Sequence, residues 1–133
     1  MESFVTDTHG LIWYLIDSPR LGMKASSIFD ACDRGECIIY IPTICLVEIV
    51  YLQEKGKIPF HFIRLLDDAI KNQNTGLIPM PLTVEIVGAL SAIPRDDVPD
   101  MPDRIIAATA HFLDAPLLTK DSHIQQSGVR TVW

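Results

Sequence analysis

Four acidic residues stand where the chain is otherwise apolar. Asp7, Glu48, Asp103 and Asp121 each lie inside or at the end of a hydrophobic segment. A carboxylate in such surroundings is costly to desolvate unless it is paired or binds a cation. A helix cap or a buried ion pair would explain one such acid, whereas four along the whole chain predict a single assembled acidic site. Because carboxylate oxygens suit hard divalent cations, this pattern favours a bound metal and a phosphodiester substrate.

Each acid also has a structural interpretation, which the sequence leaves open. Asp7 follows a predicted strand and is of a type that caps helices, although Thr8 could cap the same helix. Glu48 interrupts a long apolar run, so a buried ion pair with Lys or Arg is the alternative there. Asp100 lies three residues before Asp103, which predicts a helix N-cap followed by the third helical residue.

Further polar side chains stand next to these acids. Thr8 directly follows the first acid and Thr119 comes two residues before the last, so both are predicted to hold carboxylates in place by hydrogen bonds. Arg104 follows Asp103, and its guanidinium is expected to orient a carboxylate or contact a phosphate. None of the 4 histidines has the spacing of a paired metal site, although His9 and His123 could line the same crevice.

The elements that must position these residues alternate along the chain. Short apolar strands are predicted at residues 4–6, 37–41, 77–80, 115–119 and 129–132. Helices are predicted at residues 8–15, 24–34, 43–55, 59–70, 82–91, 103–113 and 122–126. This alternation predicts an α/β fold with a mostly parallel sheet flanked by helices, formed by residues 1–133 as a single domain. In such sheets ligands bind beyond the carboxyl ends of the strands, where all four acids can meet.

Composition and charge restrict the class of protein. The hydrophobic content of 48% argues against disorder, and no apolar run reaches the length of a bilayer span. The first residues do not resemble a signal peptide, so we expect a cytoplasmic protein without a membrane association. The 3 cysteines lack ligand spacing and are expected to be reduced and partly buried. A net charge of −6 disfavours nucleic-acid binding through a basic face, but it permits a metal-dependent nuclease or a basic protein partner.

Several segments together resemble the PIN-domain ribonucleases, and most of all the VapC-type toxins of toxin–antitoxin pairs. The resemblance covers essentially the whole chain and is carried by Asp-Thr-His at residues 7–9, Glu48 after a Pro-Thr turn, and the segments 100–110 and 116–121. It implies a Rossmann-like three-layer sandwich. It also implies Mg²⁺ or Mn²⁺ as cofactor, an RNA substrate, a homodimer and inhibition by a cognate antitoxin. The family's metal-site acids fall on Asp7, Glu48, Asp103 and Asp121, and Asp100 matches a further acid of that motif.

The chain is therefore expected to be a metal-dependent endoribonuclease, with two alternatives. One is a non-catalytic PIN-like module that acts by protein–protein contact, although such a module has no need for four acids in apolar surroundings. The other is a phosphatase of the haloacid-dehalogenase type, which also places an aspartate at the end of its first strand. That chemistry needs a second aspartate two residues further on, where this chain has His9. It also needs a lysine near the last acid, which Lys120 supplies, so the argument against it rests chiefly on His9.

Overall fold

A five-stranded parallel sheet forms the centre of the computed structural model, which describes residues 1–133. The strands are β1 (Ser3–Thr6), β2 (Ile38–Pro42), β3 (Leu77–Met80), β4 (Leu117–Leu118) and β5 (Thr131–Val132). Their order across the sheet is β3-β2-β1-β4-β5, and every neighbouring pair is parallel. The predicted α/β fold class is thus confirmed, with a sheet that is wholly rather than mostly parallel.

Seven helices connect the strands. They are α1 (Thr8–Leu15), α2 (Met23–Asp33), α3 (Thr43–Glu54), α4 (Phe62–Lys71), α5 (Val84–Ala89), α6 (Met101–Leu113) and α7 (Ser122–Gln126), with a 3₁₀ turn at Leu90–Ala92. Three helices begin at least two residues from the predicted position, and one of them, α5, begins at Val84 instead of Leu82. The helix expected from Pro59 begins at Phe62, after a turn, and α6 begins at Met101 instead of Asp103. The earlier start of α6 follows from its cap at Asp100 and from Pro102, which the first helical turn accommodates because it needs no donor there.

The core lies on both faces of the sheet. Val5, Ile39, Ile41, Leu117 and Leu118 have no exposed surface, as expected for parallel strands that are covered by helices on each side. The cysteines are all buried and free, which confirms the prediction that they are unpaired thiols.

The order of the strands creates a crevice at the middle of the sheet. From β1 the chain moves outward to β2 and β3, and it later returns to place β4 on the other side of β1. At such a switch point the connections leave the two strands in opposite directions and open a cleft at their carboxyl ends. The register pairs Val5 with Leu117 and Thr6 with Leu118, so both strands end side by side at this cleft.

None of the seven helices is both long and apolar enough to cross a bilayer.

Candidate active site

The first site residue, Asp7, is fixed at the end of β1 by its backbone and its side chain. Its amide donates to the carbonyl of Leu118 at 3.3 Å, which ties the ends of β1 and β4 together. Its Oδ1 accepts a 2.7 Å hydrogen bond from the amide of Gly10 and so caps α1. Asp7 is therefore both a helix cap and a residue of the cleft, so its two interpretations are compatible.

Glu48 reaches the cleft from the side, one and a half turns into α3. Thr8, which is buried at the start of α1, donates its hydroxyl hydrogen to Oε1 of Glu48. Glu48 is half-buried and forms no salt bridge with any Lys or Arg. The alternative of a buried ion pair is therefore not what the structure shows. The predicted contact of Thr8 with a carboxylate is present, although its partner is Glu48 and not the adjacent acid.

The start of α6 contributes two more acids. The side chain of Asp100 accepts a 3.1 Å hydrogen bond from the amide of Asp103, as a helix N-cap does. Asp103 is the third residue of the helix, so both carboxylates lie at its positive end. This is the arrangement that the spacing of the two residues predicts.

Asp121 follows β4 and caps the short helix α7. Its Oδ1 accepts hydrogen bonds from the amides of His123 at 2.8 Å and Ile124 at 3.3 Å. The fully buried Thr119 accepts a 3.1 Å hydrogen bond from the amide of Asp121, which fixes the turn between β4 and α7. The predicted contact of Thr119 with a carboxylate is reflected only in its lowering effect on the pKa of Asp7, whereas its hydrogen bond is with the backbone amide of Asp121.

All five acids line one open cleft of about 530 Å³. The acidic side of this cleft, here called the acidic wall, consists of Asp7, Glu48, Asp100, Asp103 and Asp121. The capping bonds of Asp7, Asp100 and Asp121 each engage one named carboxylate oxygen, so a second oxygen remains on each side chain. The acids that are far apart in sequence are therefore assembled as the alternation of elements predicted.

The acidic wall carries more negative charge than its surroundings compensate. Burial, followed by the charges of Asp100, Asp121 and Glu48, raises the pKa of Asp103 to about 7. Burial also raises the pKa of Asp7, against the opposing effects of Thr119, the Gly10 amide and His9. Carboxylates with raised pKa values that cluster in a cleft mark a candidate functional site, and a cation there would favour their ionised forms.

The carboxylates fit a hard divalent cation by type and by place. They are oxygen ligands at the carboxyl edge of the sheet, and the only ion pair among them joins Asp121 to His123 at 3.5 Å. No group of three or more His, Cys, Asp or Glu side chains is arranged as a ready-made metal site. Metal binding would therefore require these side chains to move closer together. Their mutual repulsion opposes that movement until a cation neutralises them.

Arg104 does not line the cleft, in contrast to the expectation from sequence. Its Nε donates to the carbonyl of Ile93 and one terminal nitrogen to that of Leu90, both at 3.0 Å. The guanidinium therefore ties the 3₁₀ turn to α6 and supports the fold behind the cleft. An arginine beside an acid in sequence points away from it here, because successive helical residues lie about 100° apart around the helix axis.

A basic and aromatic side of the cleft was missed from sequence. Trp13, Lys120 and Ser122 line it together with His9 and His123, the two histidines that were considered. Trp13 lies four residues after His9 on α1, which places both on the same helix face and could have indicated it.

A known family matches nearly the whole chain. The family model described as "PIN domain" matches residues 4–128. The chain belongs to the PIN domain family. The resemblance found in the sequence is thereby confirmed, and the haloacid-dehalogenase alternative is set aside. A search of curated proteins gave no match.

Several solved structures share this PIN fold at low sequence identity. VapBC2 from Rickettsia felis, bound to a DNA fragment from its promoter, matches with a TM-score of 0.74, 15% identity and coverage of 98% of this chain and 97% of that chain. DNA-bound VapBC from Salmonella typhimurium matches with a TM-score of 0.69, 19% identity and coverage of 99% and 98%. A toxin–antitoxin complex from Klebsiella pneumoniae matches with a TM-score of 0.62, 20% identity and coverage of 97% and 95%.

Proposed function

We propose that this PIN-domain protein is a metal-dependent endoribonuclease. The observation that carries the proposal is the convergence of Asp7, Glu48, Asp103 and Asp121 on one cleft at the switch point of the sheet. A second support is the raised pKa of Asp103, which reflects the negative charge of the neighbouring acids in the cleft. Such a cleft repels a polyanion by itself, so an RNA substrate requires a cation between the two.

The acidic wall would hold Mg²⁺ or Mn²⁺ through Asp7, Glu48, Asp103 and Asp121. A bound ion of this kind supplies an activated water and neutralises charge on the phosphate and on the leaving oxygen. Asp100 would add charge at the start of α6 without being required as a ligand.

The remaining residues of the site position these ligands by hydrogen bonds. The hydroxyl of Thr8 orients Glu48, and the amide of Gly10 orients Asp7. A cation in the cleft would lower the pKa of Asp103 from about 7 and so favour the carboxylate that could serve as its ligand. The capping bonds hold one oxygen of Asp7, Asp100 and Asp121, and the second oxygen of each is left available for an ion.

We further propose that the protein is the toxin of a toxin–antitoxin pair and forms a homodimer. The support is that the solved structures with the same fold include VapBC and toxin–antitoxin complexes. A second support is an exposed apolar surface next to Glu48, which includes Val47, Tyr51 and Met101 at 48%, 60% and 64% exposure. Exposed apolar patches of this kind are typical of protein–protein contact sites.

RNA cleavage with and without Mg²⁺ tests the proposed activity. We expect cleavage of single-stranded RNA in millimolar Mg²⁺ or Mn²⁺, none in EDTA, and loss of activity in Asp7→Asn. Asp68→Asn is the matched control, since Asp68 is exposed on α4 away from the cleft. Mn²⁺ should also raise the melting temperature of the wild type but not of Asp7→Asn, because the ion binds only the folded site. The absence of both RNA cleavage and a metal-dependent shift in melting temperature would contradict the proposal.

The second candidate is a non-catalytic PIN module, favoured only by the exposed apolar surface next to the cleft. It predicts a folded protein that binds a partner but responds to neither Mn²⁺ nor the Asp7→Asn substitution. The two measurements above therefore separate the candidates.

A further inference from the structure

Besides the acidic wall, the cleft is lined by aromatic, hydroxyl and basic side chains. This basic rim consists of His9, Trp13, Lys120, Ser122 and His123. Lys120 directly precedes Asp121 in sequence, yet it forms no salt bridge with any carboxylate. In a cleft with five acids and a chain of net charge −6, an unpaired lysine requires a physical reason.

The indole of Trp13 supplies that reason. The Nζ of Lys120 lies 4.7 Å from the centroid of the Trp13 ring, and the guanidinium carbon of Arg20 lies 5.9 Å from it. Both distances are within the range of cation–π attraction. Arg20, like Lys120, forms no salt bridge. Two cations are thus attracted to one aromatic ring, and neither is neutralised by an acid.

The ring itself is firmly positioned. Trp13 is only 9% exposed, packs edge-on against Trp133 at 5.8 Å between ring centroids, and lies 5.4 Å from the ring of His9. A buried indole of this kind offers little surface for stacking a base. Its effect is instead to keep the ammonium group of Lys120 on the rim, so that the lysine donors remain free for an anion.

We propose that Lys120, positioned by Trp13, binds the RNA phosphate next to the one that is cleaved. The inference rests on the proposed ribonuclease function. A strand whose scissile phosphate lies at the acidic wall must place a neighbouring phosphate near one edge of the same cleft. The basic rim provides a cation there, and Arg20 extends the positive charge along the same ring. Trp13 is then a positioning residue that acts through Lys120.

Binding measurements with a cleavage-resistant oligonucleotide test this subsite separately from catalysis and leave the acidic wall intact. The full-length wild-type protein is titrated in millimolar Mg²⁺ into a labelled single-stranded RNA oligonucleotide with slowly cleaved phosphorothioate linkages, and fluorescence anisotropy is followed over a series of NaCl concentrations. Lys120→Gln should weaken binding about tenfold and make the dependence of log K on log salt shallower by about 0.7 to 1, the effect of one lost phosphate contact. Lys120→Arg should restore both values.

Two further variants separate a phosphate contact from a structural effect. Lys57→Gln removes an exposed lysine in the turn after α3 that does not line the cleft, and it should leave the affinity and the salt dependence unchanged. Trp13→Phe keeps an aromatic ring with weaker cation attraction and should reduce affinity less than Lys120→Gln does. Combined with Lys120→Gln it should cause no additional loss, since Trp13 acts through the lysine.

The outcomes distinguish this inference from the proposed function. If the wild type cleaves RNA and Lys120→Gln binds as tightly as the wild type, the subsite is overturned while the ribonuclease stands. If no RNA is cleaved but Lys120→Gln still weakens binding with the expected change in salt dependence, the activity is overturned while the subsite stands. Absence of any binding of the oligonucleotide by the wild type in Mg²⁺ overturns both.

Discussion

Asp103 shows most clearly how the residues of the cleft act on one another. Its carboxyl group is partly buried, and Asp100, Asp121 and Glu48 all disfavour its ionised form, so its pKa rises to about 7. A carboxylate pair a few Å apart repels by about 1 to 4 kcal/mol, depending on the local dielectric. The folded protein without a bound cation therefore stores electrostatic strain at this point, as the clustering of acids in the sequence predicted.

This strain gives stability a definite pH dependence. Between the ordinary aspartate pKa of 3.8 and the raised value of about 7, the folded protein retains a proton on Asp103 that the unfolded chain has released. Stability from this group is thus full at low pH and is lost as the pH rises through that window. Thermal melts in EDTA should show a higher melting temperature at pH 5 than at pH 8, and Asp103→Asn should flatten that slope. An unchanged slope in the variant would contradict the assignment to Asp103.

The substitution Glu48→Gln tests whether this half-buried acid contributes to RNA cleavage or to the stability of the fold. Because it forms no salt bridge, Glu48→Gln can keep the hydrogen bond from Thr8 and should remain folded. RNA cleavage should fall at least about tenfold, equivalent to about 1.4 kcal/mol of lost transition-state stabilisation. Glu54→Gln, at an exposed position of the same helix, is the control and should retain full activity. An unfolded Glu48→Gln protein with unchanged specific activity in the residual folded fraction would show that the residue is structural.

At the scale of the elements, local signals in the sequence were sufficient for most boundaries. The spacing of Asp100 and Asp103 left an N-cap as one interpretation of the start of α6, and Asp100 does cap this helix. Thr83 caps α5 as expected, since short polar side chains prefer this position. The start of α4 was missed, because Pro59 is compatible with either a first helical turn or the preceding loop. The direction of Arg104 could not be predicted, since it depends on carbonyl groups 11 and 14 residues away along the chain.

The start of α1 depends on a glycine at position 10, where a side chain would not fit. A Cβ at position 10 would lie 2.9 Å from Oδ1 of Asp7 and 3.0 Å from Oγ1 of Thr6, closer than real contacts of this type. Gly10 therefore allows the Asp7 carboxylate to approach the helix and accept the 2.7 Å hydrogen bond. A larger residue at this position must displace the Asp7 carboxylate and crowd the Thr6 hydroxyl.

We accordingly expect Gly10→Ala to reduce both the Mn²⁺-dependent rise in melting temperature and RNA cleavage, because it displaces Asp7. Gly88→Ala is the matched control, since a Cβ there meets nothing within 4 Å. As a helical glycine, Gly88 should give a stabilisation of up to about 1 kcal/mol when replaced by alanine. Calorimetric melts with and without Mn²⁺ measure both effects. A Gly10→Ala protein with a full Mn²⁺ response would refute this account of the glycine.

At the scale of the whole molecule, the strand order is what turns scattered acids into one site. The sequence predicted parallel strands and an edge where their carboxyl ends meet, but periodicity does not specify which strands are neighbours. The placement of β4 beside β1 brings Asp121 next to Asp7, and it also brings Lys120 over Trp13. The acidic wall was predictable because four acids in apolar surroundings are unusual. The basic rim was not, because a lone lysine and a lone tryptophan are common in any sequence.

The charge of the whole molecule leads to a prediction about its proposed antitoxin. The acidic wall lacks any Lys or Arg ion pair, and the chain has a net charge of −6, so a cationic side chain of a partner would be attracted into the cleft. We expect the antitoxin to inhibit by inserting an Arg or Lys of a flexible basic segment among these carboxylates, which excludes the metal. Val47 and Tyr51 next to the cleft offer the apolar contact that would anchor such a segment.

Inhibition by such an insertion should depend on salt and on metal. Rising NaCl should weaken it because partly exposed ion pairs are screened, and excess Mn²⁺ should relieve it because the ion competes for the same carboxylates. The measurement is RNA cleavage by the purified complex during separate NaCl and Mn²⁺ titrations, with the uninhibited protein under the same conditions as the control. Glu54→Gln in the complex should respond as the wild type does, since Glu54 lies outside the cleft. Inhibition that is indifferent to both titrations would mean that the antitoxin blocks the cleft by shape alone, and the charge mechanism would be wrong.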